Sequence, residues 1–205
     1  MTALRFAVLV AVLAALVGLG MVLRPDAEPA VLLADAGLPK VGAVLDRYRG
    51  IEVHENGPEI ETSHGKSYGP GGFYYGKKWQ CVEYVKRFYR EALKHEMPDG
   101  WGHAKSFFDE SVADGDCNKA RGLVQYINGS SSAPHPDDLM VFDGSFGHVA
   151  IVTDVSEDSV EVIQQNVPGE TRQKLDLERA DGRFTITGPW RPAGWLRKQD
   201  AGCVP

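Results

Sequence analysis

Cys81 stands in the run Lys78-Trp79-Gln80-Cys81-Val82-Glu83-Tyr84, between a glycine-rich stretch and a segment of helical periodicity. Downstream, Gly147-His148 opens the apolar run Val149-Ala150-Ile151-Val152, and Gln164-Gln165-Asn166 closes the next such run. A thiol at a helix start, an imidazole at a strand start and an amide one strand later make a nucleophile, a general base and an orienting group. The thiolate is the nucleophilic form, and the partial positive charge of a helix N-terminus is expected to lower the Cys81 pKa. The competing reading of Cys81 is a core thiol on the apolar face of the helix.

His148 is positioned to act as base towards Cys81 and then as acid to the leaving amine. Gly147 before it removes bulk where the helix is expected to approach. The other histidines, His54, His64, His95, His103 and His135, lack a comparable context, and their scatter gives no zinc-ligand spacing. No metal or cofactor is called for. Strand alternation places Gln164 and Asn166 on one face and Gln165 on the other, so either Gln164 or Asn166 can meet His148. An amide there holds the imidazole tautomer through its oxygen but adds no charge. Gln80, with the Cys81 N–H, is the candidate oxyanion donor.

The elements that must position these groups follow from pattern. Residues 80–95 form the strongest helix: Cys81, Val85, Phe88 and Ala92 fall on one stripe and Glu83, Arg87, Arg90 and Lys94 on another, with Glu83 and Arg87 an i,i+4 pair. Short helices are expected at 41–48 and 104–112. Between Gly50 and Lys78, nine glycines and prolines in 29 residues indicate a loop with short extended pieces, whose aromatics Tyr68, Phe73, Tyr74 and Tyr75 either wall a cleft or pack under the core. Residues 128–136 form a polar loop. Strands are expected at 138–142, 148–155, 159–166, 183–187 and 195–197. Helices first and an antiparallel sheet afterwards make an α+β domain.

Composition fits one globular domain: 205 residues, 43% hydrophobic and 24% charged, with net charge −6. The first 24 residues hold two arginines and no acid, so the remaining body is more acidic still, and it has no basic run to bind nucleic acid. Phe6 to Leu23 is an unbroken uncharged run, longer than the usual signal-peptide core. It is expected to anchor the chain through residues 6–23 with the body on the outer face of the cytoplasmic membrane; cleavage as a signal peptide is the alternative. In an oxidising compartment Cys117 and Cys203 either pair, leaving Cys81 free, or remain thiols.

Taken together, these residues resemble the CHAP family, the cysteine- and histidine-dependent amidohydrolases/peptidases of the papain-like class. The resemblance is carried by Gly76-Lys77-Lys78-Trp79-Gln80-Cys81-Val82-Glu83-Tyr84, by Gly147-His148-Val149-Ala150-Ile151-Val152, by Gln164-Gln165-Asn166-Val167 and by a late Gly194-Trp195-Leu196. It is closest to the amidase domain of the bifunctional glutathionylspermidine synthetase/amidases. It implies a papain-like fold over residues 50–198, preceded by the anchor or signal of 1–24 and a linker with a leading helix at 25–49, and followed by a tail at 199–205. It implies Cys81 as nucleophile, His148 as base, and a carboxylate where this chain carries Gln164. It also implies hydrolysis of an amide. Export makes a peptidoglycan peptide the expected substrate; the alternatives are a small glutathionylspermidine-like amide, which the motifs favour, and an inactive wall- or partner-binding module, which Gln164 in place of a carboxylate suggests.

Overall fold

The computed structural model describes residues 39–99, 101–200 and 203; the predicted membrane span and most of the predicted linker lie outside them. Among the described residues no helix is long and apolar enough to cross a membrane. The described residues open with a hairpin, β1 (Val44–Tyr48) and β2 (Ile51–His54), and a second pair, β3 (Lys66–Tyr68) and β4 (Tyr74–Lys77), leads into helix α1 (Cys81–Glu91). The rest is strand: β5 (Cys117–Asn118), β6 (Leu123–Ile127), β7 (Leu139–Phe142), β8 (His148–Val155), β9 (Ser159–Ile163), β10 (Arg172–Ala180), β11 (Arg183–Thr187) and β12 (Pro192–Arg197). They form one antiparallel sheet in the order β11-β10-β9-β8-β7-β12-β6-β5.

Alternation assigns each strand residue to one of two apolar layers. Leu139, Val141, Val149, Ile151, Ile163 and Leu196 meet Tyr84, Val85, Phe88 and Tyr89 of α1. On the opposite face Met140, Phe142, Ala150, Val152, Val160 and Val162 pack with Leu175, Leu177, Ile186 and Trp195, which belong to the same sheet. The sheet therefore curls over its own back. Burial of both faces explains why β7 and β8 are apolar at successive positions.

The expectation of several helices packed on a sheet is corrected. The protein is mostly β, with α1 the one α-helix among the described residues. Residues 44–48, expected as helix, form β1, whose Asp46 pairs with Arg172 of β10 at 2.8 Å. Alternation at Tyr48, Ile51 and Val53 places apolar groups against α1, a period-2 signal that a helical reading overlooks. Residues 104–107 make only a single 3-10 turn, because Ala104 and Phe107 are the positions that need burial. Helix α1 ends at Glu91, four residues before the expected limit. The β8 and β11 boundaries agree with expectation, while β10 was not anticipated: its alternating charges hide Leu175 and Leu177.

Cys117 and Cys203 are joined by a disulfide with Cα atoms 5.5 Å apart, which ties the tail to β5. Cross-linking residues 86 apart restricts the unfolded chain, and Cys203→Ser is expected to lower unfolding free energy by about 2–4 kcal/mol. Urea melts with and without reductant check this: reductant should lower the wild-type midpoint and leave that of the variant unchanged.

Candidate active site

Helix α1 begins at Cys81, with Gln80 in extended conformation as its N-cap residue. The Cys81 side chain points into the α1 layer and is only 9% exposed. The backbone N–H groups of Val149, the residue after His148, of Val82 and of Cys81 itself lie close enough to its sulfur to lower its pKa. The helix start and the β8 start are thus joined at the sulfur. What approaches Gly147 is not α1, as expected, but the 3-10 turn: a Cβ there would lie 2.6 Å from the Lys105 nitrogen, and Gly147 has φ +70°.

The His148 ring turns towards β9. Gln164, 0% exposed, donates from Nε2 to the Glu170 carbonyl at 3.4 Å, so its Oε1 faces the imidazole. His148 Nε2 lies 3.1 Å from that oxygen and must therefore carry the proton, leaving the Nδ1 lone pair as the base. Trp190 packs edge-on against the ring with centroids 4.7 Å apart. No hydrogen bond joins the Cys81 sulfur directly to the His148 ring in this conformation; catalytic contacts of this kind commonly tighten only with substrate in place.

Of the two residues proposed to orient His148, Gln164 makes the contact and Asn166 does not. Strand β9 ends at Ile163, and Asn166 has φ +69°, a conformation asparagine tolerates, so the expected alternation fails after Gln164. Gln165 and Asn166 consequently both reach Gln80: Gln165 Nε2 donates to its carbonyl at 3.0 Å, and Asn166 Nδ2 to its Oε1 at 2.8 Å. The Gln80 donors are also engaged. Its Nε2 donates to the Ile60 and Thr62 carbonyls at 3.0 and 2.9 Å, and its backbone N–H to Lys77 at 3.0 Å. The N–H of Cys81, in the first turn of α1, has no acceptor within the helix.

Glu83 is the residue whose role sequence reasoning missed. Placed on the polar stripe by periodicity, it is 0% exposed. Its oxygens accept from Arg87 Nε at 2.8 Å and Nη2 at 3.2 Å, from Ser67 Oγ at 2.9 Å and from Gln165 Nε2 at 2.9 Å. Gly76 lets β4 come this close, since a Cβ there would lie 3.1 Å from the Glu83 Cα. Trp190 was missed as well; it lies in a Gly-Pro-Trp-Arg-Pro run without periodicity.

Burial pushes the Cys81 thiol up to about 11, outweighing the three N–H groups that lower it. Burial likewise drives His148 down to about 4, with the Gln164 bond acting the other way. The expectation of a depressed thiol pKa is thereby reversed: the helix N-terminus does not offset desolvation. Both shifts favour the uncharged thiol–imidazole pair.

Residues 71–166 match the model of the CHAP domain. Trypanothione synthetase of Crithidia fasciculata is 30% identical over 120 residues, which cover 54% of this chain and 18% of that protein. The bifunctional glutathionylspermidine synthetase/amidase of Escherichia coli is 34% identical over 103 residues, 46% of this chain and 16% of that protein. The matched regions thus span less than a fifth of the length of these relatives.

Two outcomes follow from the geometry. Glu83→Ala leaves Arg87 buried without its partner and frees Gln165, and is expected to cost about 3–5 kcal/mol in urea unfolding. His148 has a folded pKa below its unfolded value, so its contribution to stability is present above about pH 6.5 and is lost as pH falls towards 4. His148→Gln should lose less stability than wild type between pH 7 and 4.5; part of the acid limb remains, because burial also lowers His54 and His95.

Proposed function

We propose that this CHAP-domain chain is a cysteine-dependent amidase or peptidase of papain-like fold. The reading is carried by one observation: the His148–Gln164 bond at 3.1 Å fixes the Nε2–H tautomer at the strand start whose next N–H meets the Cys81 sulfur. His148 Nδ1 takes the thiol proton as Sγ attacks the amide carbon. The Cys81 N–H meets the oxyanion, and the tetrahedral intermediate collapses by breaking the C–N bond while Nδ1–H protonates the leaving amine. Water, deprotonated by the same nitrogen, then hydrolyses the thioester, releasing the acid and restoring the thiol. Because burial disfavours a free thiolate, proton transfer accompanies attack instead of preceding it.

A peptide of peptidoglycan is the proposed substrate, with the body held outside the cytoplasmic membrane by residues 6–23. The apolar run of the sequence and the Cys117–Cys203 disulfide support an exported, oxidising location. The names of the relatives favour a second reading, hydrolysis of a small glutathionylspermidine-like amide. Turnover of muropeptides against glutathionylspermidine by the full-length chain separates the two. Cleavage of neither, with an intact fold, would point to a binding module.

Cys81→Ala is expected to abolish hydrolysis with the melting temperature retained; full activity would sink the mechanism. Gln164→Glu places a carboxylate beside the imidazole. It should favour imidazolium, shift Cys81 alkylation by iodoacetamide to lower pH and preserve or raise turnover, at some cost in stability. A folded, inactive Gln164→Glu protein would remove Gln164 from the role of orienting partner.

A further inference from the structure

Gln80 and Asn166, the two amides that approach the site without touching His148, converge on one segment. Residues 58–66 are exposed throughout and contribute no buried apolar side chain that would hold them in place. At Ile60–Thr62 three bonds join the segment to the start of α1 and the end of β9: Gln80 Nε2 to the Ile60 carbonyl at 3.0 Å and to the Thr62 carbonyl at 2.9 Å, and Asn166 Nδ2 to the Ile60 carbonyl at 2.8 Å. The two amides also bind each other at 2.8 Å. The segment has further ties at its ends, where His64 N–H donates to Lys78 at 2.8 Å and Gly57 N–H to Glu55 Oε1 at 2.6 Å.

We propose that Gln80 and Asn166 are positioning residues that latch residues 60–62 beside Cys81 as one wall of the substrate cleft. Gln80 immediately precedes Cys81, so its side chain ties residues 60–62 to the start of the helix that carries the thiol. The wall presents Ile60, whose side chain stays half exposed at 50%, to the substrate chain flanking the cleaved amide. An apolar side chain held at the rim by hydrogen bonds from Gln80 and Asn166 to its own carbonyl, instead of by its own burial, is a surface for an apolar part of the substrate. The latch also ties the wall to the Gln164–Gln165–Asn166 turn, and hence to the segment that orients His148. This rests on the amidase reading for the identity of the occupant, but the latch itself can be tested without turnover.

The test uses the full-length chain with Gln80→Ala, Gln80→Glu and Asn166→Ala. Two readouts are taken beside melting temperature: nicking after Glu59 and Glu61 by a glutamate-specific protease, and kcat and KM for the amide that wild type cleaves. Each variant removes at least one neutral hydrogen bond, so nicking and KM are expected to rise by about five- to tenfold, with kcat little changed. Gln80→Glu discriminates further, because a carboxylate keeps the Asn166 contact but cannot donate to Ile60 and Thr62; it should behave as Gln80→Ala does. Ile60→Ser should raise KM without altering nicking. Unchanged nicking in all the latch variants overturns the latch. Faster nicking with KM unchanged overturns its role as a substrate wall, and a fall in kcat at constant KM in the Gln80 variants alone overturns it in favour of an oxyanion donor. If wild type cleaves no amide, the amidase reading fails while nicking still decides the latch.

Discussion

The site depends on a carboxylate that takes no part in the chemistry. Glu83 is buried beneath the first turn of α1, and each of its oxygens accepts from side chains brought by different parts of the chain: Arg87 from the same helix, Ser67 from β3 and Gln165 from the turn after β9. A charge removed from water is tolerated only with such complete pairing. The same bonds set the separation between the helix that carries Cys81 and the turn that carries Gln164. Gln165 extends the network outwards, since its Oε1 accepts from the His54 N–H at 2.8 Å and its Nε2 also holds the Gln80 carbonyl. The cysteine, the orienting amide and the cleft wall therefore share one buried anchor, and a change at Glu83 reaches all three.

Desolvation is the second constraint. The sheet buries both faces, and Cys81 lies at the junction between α1 and β8, where the apolar layer begins. Helix-end electrostatics favours the thiolate, but a contribution of this kind is typically below about 2 kcal/mol, whereas burial acts on the whole charge. The Cys81 thiol is raised, the direction in which burial drives it. Trp190 against His148 works in the same sense, removing water from the ring while leaving its Nε2–Gln164 bond intact.

The candidate residues Cys81, His148 and Gln164 were legible because each sits at or next to an element boundary that period and composition mark: β8 starts at His148 as expected, and α1 starts one residue after its expected limit. What was not legible depends on tertiary contacts. Glu83 reads as a surface residue because it pairs with Arg87 at i,i+4, a spacing equally good on either side of a helix. Residues 41–48 read as helix, and only the pairing of 44–48 with β2 reveals their true period. Asn166 was placed by alternation, which holds only as long as the strand lasts; its positive φ redirects the side chain to Gln80. Of the aromatic cluster of 68–75, Tyr75 is buried, in line with packing under the core, while Tyr68 is exposed.

These constraints give a physical account of an amide at position 164, where the family resemblance implies a carboxylate. The Gln164 side chain has two polar ends, and both are used: Oε1 on His148 and Nε2 on the Glu170 carbonyl. A carboxylate in the same place would keep the first bond, lose the second and set a negative oxygen beside a carbonyl in a site with no exposure. Until imidazolium forms, that charge has no partner at hand, and burying an unpaired carboxylate costs several kcal/mol even after relaxation. With glutamine the resting site is uncharged at all three positions, in keeping with a thiol raised and an imidazole lowered by the same burial. In the proposed mechanism charge then develops only as the sulfur attacks, when the Cys81 N–H is there to receive it. The amide gives up stabilisation of the imidazolium in exchange for a resting state that the surrounding apolar layer can tolerate.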